Sequence, residues 1–294
     1  MSLAAPSRAR TGRVVDAPSP RSAKRRNAIV VFLVLTAVAF VMLTPFIWTA
    51  MAATKSTAEA FSNPPVFFYQ PSLQAFIDLW LQTNFAQYLL NTVLVAIASV
   101  IVALVVGAPA AYALSRYGGR IGALLLVLAL IFRALPRFAV ALPFYNFAQA
   151  LGIYDTKIAL MIGLVALNQP FTIWLLRNFF MEIPKELDEA ATVDGCSRFQ
   201  TLTRVILPLM GPGLVTAGIF TFLFAFQEYL LALVLTNTDA KTVPLFIATQ
   251  IGQNLPLLQQ ASAATLLVAL PILVLAMVVQ RFLVAGLTGG SVKG

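Results

Sequence analysis

YLLNTVLVAIASVIVALVVGAPAAYAL, residues 88–114, is the stretch that decides the fold. It lies in a run with no charged side chain between Asp78 and Arg116. It is longer than the roughly 20 apolar residues a helix needs to cross a hydrocarbon core. A helix satisfies its own backbone polar groups, which a lipid core requires of any segment that spans it. Working outward, five more apolar runs of comparable length occur at about residues 28–50, 121–147, 158–176, 213–235 and 261–284. Together they predict an all-α integral membrane protein with six transmembrane helices, residues 27–294 forming one transmembrane domain.

Composition agrees: 60% of residues are hydrophobic and 11% charged, against the roughly 25% charged residues of an ordinary soluble domain. The first run is uncharged from Asn27 to Thr54, which is 28 residues. It follows Arg25 and Arg26 and ends near a small-x-small triplet, Ala50-Met51-Ala52, but a signal peptide has an apolar core of only about 7–15 residues. It is read as a retained span. Residues 1–26 hold almost no large apolar side chains and read as a disordered basic tail.

The third run is the least regular, because Arg133, Pro136, Arg137 and Pro143 fall inside it and require a kink. Pro170 interrupts the fourth run, Glu228 lies within the fifth and Pro271 within the sixth. Residues 55–87 read as an external loop with short interfacial helices, and residues 237–260 as a second external loop. Residues 178–210, rich in both signs of charge, form a soluble excursion.

The net charge of +9 is a topology signal rather than a nucleic-acid footprint. With the amino terminus inside, fifteen Lys and Arg fall on the cytoplasmic side and three, Lys55, Lys157 and Lys241, outside. Arg133 and Arg137 lie within a span. That bias predicts both termini in the cytoplasm. Membrane lipid is an expected partner and nucleic acid is not.

The chain has no histidine, and Cys196 is its single cysteine. Neither a His/Cys metal cluster nor an internal disulfide can be built. An intramembrane enzyme would be left with unusual Ser/Lys or carboxylate chemistry. Cys196 reads as a small loop residue rather than a redox switch. No phosphate-cradling Gly-x-x-x-x-Gly-Lys-Ser/Thr motif is present, so no catalytic centre, cofactor or metal is expected on this chain.

Within the excursion, Ile183 to Gly195 reads IPKELDEAATVDG, a capped helix. Pro184 suits a first helical position, Glu186 and Asp188 suit the positive end of the dipole, and Gly195 suits a left-handed closing residue. Glu186 and Asp188 read as solvated or dipole-matching side chains rather than contacts. A second short helix, Arg198 to Leu207, is expected to end at Pro208. The small side chains of Ala190 and Ala191 allow a partner surface to approach the backbone. Glu189 offers a carboxylate for a basic group, and Gly195 permits a sharp turn. A plain solvated connecting loop is the alternative.

The order Glu189-Ala190-Ala191, Asp194-Gly195, then Val205-Ile206-Leu207-Pro208 resembles the EAA loop of importer permeases of the ATP-binding cassette class, with Val205 where isoleucine is usual. The likeness extends over most of residues 85–294. It includes Asn91-Thr92-Val93-Leu94-Val95-Ala96, Ala110-Ala111-Tyr112-Ala113-Leu114-Ser115-Arg116, Pro170-Phe171 with Ile173-Trp174-Leu175-Leu176, Gln280-Arg281, Gly286-Leu287-Thr288 and Val292-Lys293-Gly294. These are similar to the maltose-type carbohydrate permeases, the second permease of the pair.

That resemblance implies a multi-pass permease of the bacterial cytoplasmic membrane, heterodimeric with another permease. It implies two ATP-binding subunits inside that hold the ATP and Mg, and an extracytoplasmic solute-binding protein that delivers a carbohydrate. Glu189, Ala190, Ala191, Asp194, Gly195, Leu207 and Pro208 would form the loop that docks the ATPase. A non-sugar solute and an ion-gradient-driven secondary transporter are the alternatives. In the second, Glu228 would be the coupling carboxylate, but no internal repeat supports it.

Polar residues inside spans mark a solute path or an interhelical partner. Glu228, Gln227, Tyr229, Arg133 and Asn168 are the path candidates. Two readings of Glu228 stand, a ligand for sugar hydroxyls or a structural ion pair with an arginine. Arg137 reads as a side chain snorkelling to the external interface. The stripe Phe220, Phe222, Phe224 and Phe226 reads as packing or lipid-facing.

Overall fold

A computed structural model describes residues 20–60, 62–250 and 255–289, and among these every regular element is a helix. The chain divides into two units, residues 1–48 and 49–294. The first carries most of α1 (Pro20–Thr54), with Pro45 inside it. Residues 1–19 of the expected tail lie outside the described residues. The helix starts at Pro20, so residues 20–26 correct the expected disorder. An apolar helix already nucleated can extend over Ala, Lys and Arg at little cost, since propagation adds a hydrogen bond for each residue fixed.

The second unit opens with short helices, α2 (Thr57–Ala60) and α3 (Gln74–Gln82), in the expected external loop. The deciding stretch forms α4 (Phe85–Arg116), a turn longer than the apolar run alone. The third run is two helices, α5 (Gly119–Arg133) and α6 (Arg137–Ala150), bent by 92°. This corrects the single kinked span over 121–147. Pro136 lacks an N–H and excludes the helical conformation from the residue before it, so the helix stops and restarts.

The fourth run is α7 (Lys157–Glu182), capped by Thr156, whose hydroxyl accepts from the Ala159 N–H. After the soluble excursion comes α11 (Gly211–Phe226), then a break at residues 227–229 and α12 (Leu230–Leu235). The fifth span is therefore interrupted, against the expected continuous run over 213–235. The chain continues through α13 (Val243–Gln250) to α14 (Leu255–Gly289), which contains the sixth run. By length and composition, four described helices can cross a membrane, and up to six spans result if each of two bent pairs is one span.

Helices α4 and α7 make the most extensive helix pair, and α11 packs on both. Small residues along α4, among them Ala103, Gly107, Ala108 and Ala111, let the backbones approach closely. A Cβ on Gly107 would meet Gln169 Nε2 at 2.8 Å. That amide donates to the Ala103 carbonyl at 3.2 Å. Thr172 of α7 and Thr221 of α11 share a buried hydroxyl hydrogen bond of 2.9 Å. Apolar packing divides between one end, with Leu160, Leu164, Phe226 and Leu231, and the opposite end, with Tyr112, Leu176, Phe180 and Ile206.

The loop after α12 is clasped by Asp155, whose φ of 57° places it in the left-handed region. Its carboxylate accepts the N–H groups of Asn237, Thr238, Asp239 and Ala240 at 2.8–3.1 Å. Asn91 holds the same loop by donating to the carbonyls of Asp239 and Lys241. Burial alone would push the Asp155 carboxyl up, but the four backbone donors outweigh it and hold it below the usual carboxylate range. A depressed folded pKa contributes stability above the unfolded value that is lost as pH falls through the folded one. The clasp is therefore expected to persist at neutral pH and release only in strong acid.

Asp155→Ala is expected to cost about 1–2 kcal/mol by loss of these charge-assisted bonds. Asp155→Asn keeps one acceptor oxygen and tolerates the left-handed backbone, so it should cost less. Thermal unfolding of the purified chain in detergent checks the order. Equal stability of Asp155→Ala and the parent would contradict it.

Candidate functional site

The excursion builds a compact knob. Helix α8 (Glu186–Val193) carries Glu186, Asp188 and Glu189 in its first turn, where the helix dipole favours anions. It begins two residues later than Pro184 would allow, with Lys185 at the N-cap. Its end is a Schellman motif. Gly195 sits at φ +83°. The Gly195 N–H donates to the Thr192 carbonyl at 3.0 Å, and the Cys196 N–H to the Ala191 carbonyl at 2.9 Å.

Ser197 then forms a capping box with Gln200: the Ser197 Oγ accepts from the Gln200 N–H, and Gln200 Oε1 accepts from the Ser197 N–H at 2.8 Å. Two caps thus fix both sides of one turn. The chain continues as α9 (Arg198–Gln200), a π-helical turn over Thr201–Ile206, and α10 (Leu207–Leu209). Pro208 does not end this helix, as the sequence predicted, but lies inside it. The break comes at Met210, where residues 198–209 bend by 83° into α11.

Glu189, Ala190, Asp194 and Gly195 are exposed, as is Pro208, while Leu207 is half-buried. Ala191 is buried, so of the two alanines only Ala190 offers its face to a partner. Val193 and Phe199, which sequence reasoning passed over, are 88% and 70% exposed and flank the Gly195 turn. They give the knob an apolar tip. Their signal was available as large apolar side chains in an otherwise polar loop.

Asp188 departs most from expectation, because it is a contact and not a solvated side chain. Its carboxylate accepts from the Tyr112 hydroxyl and lies 2.9 Å from Arg116 Nε. The Arg116 guanidinium also donates to the carbonyls of Phe180, at 3.0 Å, and Ile183, at 3.1 Å. The Arg116 side chain is 5% exposed.

At the other end of α11, Gln227, Glu228 and Tyr229 form the helix break. Glu228 Oε1 accepts from the N–H groups of Leu230 and Leu231, capping α12. Its second oxygen pairs with Arg137 at the start of α6. The ion-pair reading of Glu228 is therefore the one the geometry supports, and Arg137 is its partner rather than a snorkelling side chain. These residues, with Phe224 and Leu230, line an open cavity of about 310 Å³.

Arg133 lies outside that cavity, its guanidinium 4.9 Å from the Phe171 ring centre and 4.6 Å from that of Phe224. This is a cation–π sandwich. Asn168 is buried on α7, about one turn before Phe171, and is not part of the cavity lining. Phe220 and Phe224 both pack on Phe171, and Phe222 stacks on Phe226, so the aromatic stripe is packing within this chain.

Residues 103–289 match the family of binding-protein-dependent transport system inner membrane components. The chain is 41% identical over 258 residues to a probable ABC transporter permease protein, y4oR, of Sinorhizobium fredii, covering 87% of this chain and 92% of that one. It is 38% identical over 213 residues to the trehalose transport system permease SugB of Mycobacterium tuberculosis, covering 71% and 78%. A bacterial ABC transporter that imports the acidic polysaccharide alginate contains a chain of the same fold, with a TM-score of 0.73, 25% identity and coverage of 88% and 97%.

Proposed function

The chain belongs to the binding-protein-dependent transport system inner membrane components, and from that premise we propose that it is one half of a heterodimeric carbohydrate permease driven by two ATP-binding subunits. Both termini and the α8–α10 knob face the cytoplasm of a bacterial cell, and a solute-binding protein presents the sugar at the opposite face. ATP and Mg reside on the partner subunits. Support for a carbohydrate comes from the relative named for trehalose and the solved importer of alginate.

The observation that carries the reading is the doubly capped turn at Gly195, with Glu189, Ala190, Val193 and Phe199 exposed around it. Caps on both sides make the knob rigid, and a rigid knob passes on the movement of whatever grips it. Ala190 lets a partner approach, Glu189 pairs with a basic group, and the Val193 and Phe199 side chains fill an apolar cleft. At the far end, Gln227, Tyr229 and Arg137 offer amide, phenol and guanidinium groups to sugar hydroxyls in the 310 Å³ cavity, with Glu228 holding Arg137 in place. Arg133 and Asn168 shape this region through packing rather than as ligands.

Reconstitution in vesicles with the partner permease, the ATP-binding subunits and the binding protein tests the reading. Sugar uptake is expected to need both ATP and the binding protein. Uptake that survives ATP depletion and follows a proton gradient would replace it with secondary transport.

A further inference from the structure

Resting on that reading, we propose that Asp188, Tyr112 and Arg116 form the clasp through which the docked knob moves the α4–α7 core, and so set how much solute crosses for each ATP hydrolysed. They are positioning residues, and none of them touches solute or nucleotide. Successive helical residues are about 100° apart. Glu189 therefore faces out to a partner while Asp188, one residue earlier, faces in. The same turn of α8 is thus gripped from outside by one carboxylate and anchored inside by its neighbour.

Three elements meet at Arg116. It stands in the last turn of α4, where the dipole favours a cation. Its two terminal nitrogens donate to the carbonyls of Phe180, which also accepts the capping Ile183 N–H, and of Ile183, just past the end of α7. Its Nε lies 2.9 Å from one Asp188 oxygen as an ion pair without hydrogen-bond alignment, and the Tyr112 hydroxyl donates to the other carboxylate oxygen. The Tyr112 ring packs edge-on against Phe180 at 5.7 Å. One guanidinium therefore ties α4, α7 and α8 together, in a site from which water is largely excluded.

Helix α8 has a second attachment, its packing on the π-helical turn that leads through α10 into α11. The two attachments run to different destinations. Residues 183–185 join α8 directly to α7 and the π-helical turn leads on to α11, whereas Asp188 reaches across to α4, the helix that makes the most extensive pair with α7. With the clasp open, a push on the knob would reach α7 and α11 through the chain but α4 only through apolar packing. With it closed, the three helices move together.

The test uses the full complex in vesicles, measuring sugar taken up and ATP hydrolysed in the same preparation. Asp188→Asn keeps an acceptor for Tyr112 but removes the charge facing Arg116. It is expected to assemble normally, hydrolyse ATP, and lower solute moved per ATP by about tenfold. Tyr112→Phe deletes a single hydroxyl and should lower the same ratio by about threefold, and Asp188→Glu should restore most of what Asp188→Asn loses.

An unchanged ratio in both Asp188→Asn and Tyr112→Phe would overturn the clasp. A parallel fall of uptake, hydrolysis and assembled complex, with no change in ratio, would also overturn it, by showing a purely structural role. ATP-independent uptake by the parent complex would instead count against the permease reading itself, so the two failures are distinguishable.

Discussion

Gly195→Val is expected to lower ATP-driven uptake by at least about tenfold while leaving the chain in the membrane. The residue sits at φ +83°, where an L side chain costs roughly 1–2 kcal/mol and a β-branched one more. Among the described residues, its two chain neighbours aside, no heavy atom lies within 4 Å of a Cβ built there. The loss therefore comes from the backbone and not from a clash inside the chain. If the left-handed residue is forced out, the Gly195 and Cys196 N–H groups leave the Thr192 and Ala191 carbonyls. The Ser197 cap, with Phe199 behind it, then swings relative to α8.

Gly195→Asn separates the causes, because asparagine tolerates this backbone while adding bulk. It should keep most of the uptake. Uptake by Gly195→Val at the parent level would sink the claim that this turn holds the knob in shape. Gly195→Asn failing as badly as Gly195→Val would move the cause from the turn to the space beside it.

The helices with long uncharged apolar runs, α4 and α7, could be read directly despite Pro170 in the second, since lipid demands length and lack of charge and little else. So could the Gly195 closure, because a left-handed residue after a short helix is chemically distinctive. Breaks in the apolar runs were harder. Pro136 announced a kink, but the 92° between α5 and α6 depends on how two restarted helices pack. The break after Phe226 has no Pro or Gly to mark it. It exists because the Glu228 carboxylate takes the N–H groups that would have continued the helix.

Asp188 was misread for a related reason. An acid in the first turn of an exposed helix has a sufficient local explanation in the helix dipole, and its partners Tyr112 and Arg116 are more than 70 residues away in the chain. The Ser197-x-x-Gln200 box, by contrast, is legible from spacing alone.

Glu228→Ala is expected to cost about 3 kcal/mol of stability, because it removes three interactions at once. The side chain is only 5% exposed. Its loss leaves the Leu230 and Leu231 N–H groups without their acceptor, Leu231 being itself fully buried. Each orphaned donor costs about 1–3 kcal/mol. Arg137 loses its partner as well, but its side chain is 47% exposed and can turn to water, so that part of the loss is small.

The asymmetry gives the order of effects. Glu228→Gln retains an oxygen for the two N–H groups and should cost about 1 kcal/mol, through the weakened contact with Arg137. Arg137→Ala leaves the cap intact but a buried carboxylate without its cation, and should fall between the two. Thermal unfolding in detergent ranks them. If Arg137→Ala proved as damaging as Glu228→Ala, the ion pair and not the cap would hold the break. If Glu228→Ala matched the parent, neither would. Uptake follows the same order on this account, because α12 and the cavity wall formed by Gln227, Tyr229 and Leu230 depend on that cap for their position.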